Sequence, residues 1–159
     1  MRLARLPPAL LCLLALVAMP GCNNSPTAPS TGVRSVITLT VAPNPIVAVI
    51  TSPVGPVYTA TWTVTLTEAG AVGCVVQLVK ANVFDDASGK LVASTTYDDK
   101  DLLVFVGKNR VEAGGTLAVP LQVSYALSTT SRAASLTVTT SVKDDRGNTV
   151  ESSLLVKIQ

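Results

Sequence analysis

Thr59, Thr61, Thr63, Thr65 and Thr67 alternate without a break with Ala60, Trp62, Val64 and Leu66. Only a β-strand turns its side chains to the opposite face at every residue, so this stretch predicts a strand with one apolar and one hydroxyl-bearing face. The same period recurs in Ile37, Leu39 and Val41, in Leu117, Val119, Leu121, Val123 and Tyr125, in Leu136, Val138, Thr140 and Val142, and in Leu154, Val156 and Ile158. Turn chemistry separates these rows: Pro43-Asn44-Pro45, Pro53-Val54-Gly55-Pro56, Asp86-Ala87-Ser88-Gly89, Gly114-Gly115 and Asp144-Asp145-Arg146-Gly147-Asn148. Residues 46–50 form an irregular apolar stretch, and residues 91–96 and 102–106 read as two shorter strands.

Two irregularities sharpen the reading. Cys74, Val76 and Leu78 share one parity while Val79, Ala81 and Val83 take the other, which predicts a β-bulge near Gln77. Pro120 removes an amide from its ladder, which predicts an edge strand or a bulge. No segment carries a 3.6-residue period with caps. Seven or eight strands over residues 35–159, with turns about every 8–12 residues, predict a single all-β antiparallel sandwich.

The segment before it is built differently. Arg2 and Arg5 precede an unbroken apolar run over residues 9–19, and Pro20-Gly21 then lead to Cys22. As a helix that run would span roughly 16 Å, about half a bilayer's hydrocarbon core, which suits an export signal and not a membrane span. Met19-Pro20-Gly21-Cys22 resembles the bacterial lipobox, in which a small residue precedes a cysteine whose thiol takes diacylglycerol. Gly21 matches, Met19 stands where Leu is usual, and Pro20 departs from the pattern. The resemblance implies that residues 1–21 are a lipoprotein signal peptide and that Cys22 is the lipidated, palmitate-bearing N-terminus of an exported envelope protein. Cys12 is no rival, because Leu11 before it is too large.

Residues 22–34 are polar and contain Pro26 and Pro29, so they read as a tether that buries no core. Resemblance to enteric lipoproteins, where Asp after the cysteine signals inner-membrane retention, makes Asn23 compatible with the outer membrane. With Cys22 acylated, Cys74 is the one thiol left in the mature chain, on an apolar strand where a buried, inert role is expected.

The formal charge of +2 belongs to the leader. Of 12 basic residues Arg2 and Arg5 fall within it, leaving ten against 10 acidic ones. Nucleic-acid binding draws heavily on Lys and Arg, so a neutral mature chain argues against that partner. The absence of histidine removes the commonest general base, the usual triad and the common zinc ligands. Neither Lys80 nor Lys143 has a Ser at a catalytic spacing. A non-enzymatic protein is expected.

The 114–121 run Gly-Gly-Thr-Leu-Ala-Val-Pro-Leu and the Asp-Asp-Arg-Gly-Asn hairpin resemble bacterial immunoglobulin-like and fibronectin type III-like domains over most of residues 35–159. The paired cysteines of antibody domains are missing, and Trp62 lies one strand earlier than their core tryptophan. The resemblance implies a module whose loops carry its function, with the Asp98/Asp144 end as the contact region. The partner would be an envelope protein or, if the domain is an adhesion module, a polysaccharide. Trp62 and Tyr125 lie on inward rows, so Tyr58 and Tyr97 are the candidate exposed aromatics. A protease inhibitor is a third reading, with the 107–114 loop as the inserting segment. Asp98, Asp99, Asp101, Asp144 and Asp145, gathered at one end near Asn148, have the oxygen chemistry that Ca²⁺ favours, against the simpler account of solvated turn residues.

Overall fold

The elements run β1 (Ile37–Ala42), β2 (Ala48–Ser52), β3 (Val57–Glu68), β4 (Cys74–Asp85), β5 (Leu91–Asp98), α1 (Asp99–Phe105), β6 (Arg110–Val111), β7 (Thr116–Ala126), β8 (Ala134–Asp144) and β9 (Thr149–Ile158). This computed structural model describes residues 32–52, 55–128 and 133–159, all within the unit Gly32–Gln159. The expected signal peptide of residues 1–21, Cys22 and most of the expected tether lie outside the described residues.

The Thr-alternating stretch becomes β3, the spine of the first sheet. On one side β3 pairs with β1 and then β2, and on the other with β7 along Val57–Thr67, all antiparallel. The second sheet runs β5-β4-β8-β9, with β6 pairing the start of β4 beside β5. The described residues thus form a two-sheet antiparallel sandwich of nine strands, one more than the upper sequence expectation. Two strands are additions, β2 from the irregular apolar stretch and the two-residue β6, while the strand expected at 102–106 is absent.

The inward rows fill the space between the sheets. Trp62, Val64 and Leu66 of β3 and Leu117, Val119 and Leu121 of β7 lie in the same buried core as Val76, Val79 and Val83 of β4 and Leu136 and Val138 of β8. Each large side chain so removed from water contributes about 1.5–3 kcal/mol. The ladder between β4 and β8 slips between Val76 and Leu78, which is the bulge predicted at Gln77. It keeps Cys74 and Val76 in the core together with Val79, Ala81 and Val83. Pro120 lies on β7, an edge strand paired only with β3.

The sequence reading of residues 102–106 as a strand is corrected. Residues 99–105 form α1, because the Asp98 carboxylate accepts the Lys100 and Asp101 amides while Asp101 accepts the Asp98 amide, a reciprocal capping box. Leu102 is its buried residue. Between β1 and β2 the chain crosses to the other sheet: Ile46 forms a parallel bridge with Ile158, and the Ala48 amide donates to the Gln159 carbonyl at 2.8 Å. This crossing covers the end of edge strand β9.

Candidate functional site

Three inward rows end in a carboxylate. Glu68 continues the parity of Ala60, Trp62, Val64 and Leu66; Asp144 continues that of Leu136, Val138, Thr140 and Val142; Asp85 continues that of Val79, Ala81 and Val83. All three are buried. Each accepts amides from the turn that follows, which satisfies donors that the ladder leaves behind. Asp85 takes the Ala87 amide at 2.9 Å and the Ser88 and Ser128 hydroxyls. Asp144 takes the Arg146 and Asn148 amides and the Asn148 side chain.

Glu68 reaches furthest. Its carboxylate accepts the Gly70 amide at 2.6 Å, the Gly114 amide at 2.9 Å and the Val36 amide at 3.2 Å. The Ser35 amide meanwhile donates to Asp144 at 3.3 Å, and the Ser35 hydroxyl to Glu68 at 3.5 Å. The chain therefore reaches β1 while held by an acid from each sheet. The fit is close: a Cβ on Gly70 would stand 2.5 Å from the Arg34 carbonyl oxygen, so only glycine fits. Burial opposes ionisation of Glu68, but the Gly114, Val36, Gly70 and Val72 amides outweigh it and hold the carboxyl below its ordinary range. The Asn148 side chain does the same for Asp144 against its own burial.

These contacts redistribute the five acids considered for Ca²⁺. Asp98 and Asp101 cap α1, Asp99 opens it, Asp144 serves its own turn, and Asp145 forms a paired ion bridge with Arg110 at 2.7 and 2.8 Å. Register shows why they do not converge. Asp98 pairs with Leu78 and Asp144 with Cys74, on opposite sides of β4 and about 13 Å apart along it. Among the described residues no group of three His, Cys, Asp or Glu side chains could hold a metal. The 107–114 loop is also tied down. The Asn109 carbonyl accepts the Val76 amide, Arg110 and Val111 pair with β4, Val111 is buried, and the Gly114 amide ends on Glu68.

The aromatics fall into two stacked pairs. Tyr58 is half-buried against buried Tyr125, with ring centroids 5.7 Å apart, so it extends the core. Tyr97 stacks on Phe105 at 5.4 Å. Tyr97 pairs with Val79 and so points toward the core side of its sheet, but from the edge strand β5. There a cavity of about 270 Å³ is lined by Tyr97, Phe105 and Leu121 together with Thr61, Pro120 and Gln122, which lie on the outer face of the first sheet at its β7 edge. Phe105 is 63% exposed. The sequence reading found Tyr97 and missed Phe105, which it had placed in a strand. Cys74 is buried and free, as expected, and burial pushes its thiol pKa up.

No protein-family model matches the chain, and no curated protein does. Solved structures do resemble it. The Northeast Structural Genomics Consortium target SoR45 superposes with a TM-score of 0.58 at 10% identity, covering 76% of this chain and 84% of its own. A protein from Bordetella pertussis assigned as ApaA gives 0.52 at 15% identity, covering 77% and 93%. The CARDB domain of a Pyrococcus furiosus protein gives 0.34 at 14% identity, covering 79% and 89%. At these identities the first two share the fold and nothing more, and the third is too distant in shape to add to it. The chain is in the class of small antiparallel β-sandwich domains.

Proposed function

We propose that this chain is the precursor of a non-enzymatic, lipid-anchored protein of the bacterial cell envelope, whose sandwich displays a binding surface. The observation that carries the anchor is the order of features at the N-terminus: Arg2 and Arg5, the apolar residues 9–19, Gly21-Cys22, then a polar Pro-containing stretch. One acyl chain holds a protein only marginally, whereas the multiple chains of a lipobox cysteine make a durable anchor. Residues 22–34, fully extended, would let the domain stand about 45 Å from the membrane surface.

The way the chain meets the sandwich supports display. Ser35 is held by Glu68 and Asp144 where the chain enters the sandwich, and the cavity beside Tyr97 and Phe105 is open to solvent and so available to a partner. The contact surface we propose is this cavity. An outer-membrane location follows from Asn23 under the enteric sorting rule. Expression in a bacterial host with labelled palmitate tests the anchor. Label on the wild type that disappears in Cys22→Ser, with release of the domain, is the expected result; label persisting in the variant would overturn the reading.

A further inference from the structure

The groove between β5 and β7 has a chemistry of its own. Its lining of Thr61, Tyr97, Phe105, Pro120, Leu121 and Gln122 contains no charged residue, so it offers nothing to offset a ligand's charge. One wall is the stacked Tyr97–Phe105 pair and another is Pro120. Thr61 and Gln122 pair across β3 and β7 and bring a hydroxyl and a carboxamide to the same side. We propose that this groove binds a single ring of a neutral saccharide.

The fit rests on three features. A pyranose has an apolar C–H face that stacks on an aromatic ring and a rim of hydroxyls that need both donors and acceptors, which Thr61 and Gln122 supply. A purely apolar ligand would strip water from those two side chains without replacing their hydrogen bonds. The cavity, about 270 Å³, lies at the small end of ligand sites, near 300 Å³, and suits one ring better than an extended peptide. A peptide added as a strand along β7 would also meet Pro120, which has no amide to donate.

This proposal rests on the reading of the chain as a display module, yet the two fail separately. Losing sugar binding leaves lipid labelling at Cys22 unchanged, and losing the label leaves the groove unchanged. The test is native affinity electrophoresis of the mature chain carrying Cys22→Ser, through gels containing amylopectin, hydroxyethyl cellulose or glycol chitin. Retardation by at least one of these neutral glycans is expected. Phe105→Ala should weaken it about tenfold, and Gln122→Ala should weaken it too, with unchanged circular dichroism; Leu155→Ala on β9 should have no effect. No retardation in any of the three gels, or retardation undiminished in folded Phe105→Ala and Gln122→Ala, would overturn the proposal.

Discussion

The Gly114 amide donates to Glu68 Oε2 at 2.9 Å, joining residues 46 positions apart in the chain. Because Glu68 also serves Gly70 and Val36, its removal strands several amides in a buried corner. Glu68→Ala is expected to lower stability by about 2–3 kcal/mol and the melting point by roughly 10 °C. Glu68→Gln, which keeps one acceptor oxygen, should lose less. Thermal melts of the two variants against wild type check the order.

Acid should destabilise the domain through the same kind of contact. Glu68 and Asp144 have lowered values for the reasons given above; the Lys157 and Ser135 side chains lower Asp86, and the Arg110 guanidinium lowers Asp145. A carboxyl with a lower pKa when folded binds fewer protons than its unfolded form. Its contribution is complete above the unfolded values, about 4, and is lost as pH falls through the folded ones. Melting points should be level from about pH 7 to 5 and fall steeply below about pH 4. A midpoint that rises on acidification would contradict this sign.

Thr140 sits in the core with its hydroxyl unpartnered among the described residues. Thr140→Val keeps the branched shape and removes the unpaired group, so it should raise stability by about 1 kcal/mol. Urea unfolding measures it; a lower midpoint would mean that the hydroxyl has a partner in solution.

Asp98→Ala removes the N-cap of α1 and should cost about 1 kcal/mol. Since α1 carries Phe105 onto Tyr97, the variant should also weaken any ligand held in the groove, which separates it from a purely local loss of stability.

Calcium should leave the melting point where a chelator leaves it. Asp98 and Asp101 are engaged with amides, Asp145 with Arg110 and Asp144 with its own turn, and the five acids do not face a common point. A rise in the midpoint with Ca²⁺ would revive the acidic end as a binding site.

Much of the fold was legible because it depends on parity. Rows such as Trp62-Val64-Leu66 report a strand directly, and a change of phase at Gln77 reports its bulge. The same rule, carried one step further, would have placed Glu68 and Asp144 inside. Their charge argued for the surface, and only the amides converging on them explain the exception. The helix was missed for a different reason. Leu102-Leu103-Val104-Phe105-Val106 has no polar interruption to distinguish a strand from a single buried turn of helix, and the Asp98/Asp101 capping box was the deciding signal. The groove was not legible at all. It joins Thr61, Tyr97, Phe105 and Gln122 through the placement of one sheet's edge over the other's, and no local pattern encodes that.

The attachment of Ser35 to Glu68 and Asp144 has a mechanical consequence. A pull on Gly32 directed along β1 would load the six-pair ladder between β1 and β3 in shear, with the bonds sharing the force. The two acids add resistance from both sheets at the point where the force arrives. Peeling one strand from the edge needs far less force than such a parallel rupture. Tension entering at Gly32 along β1 would therefore meet the β1–β3 ladder and both acids together.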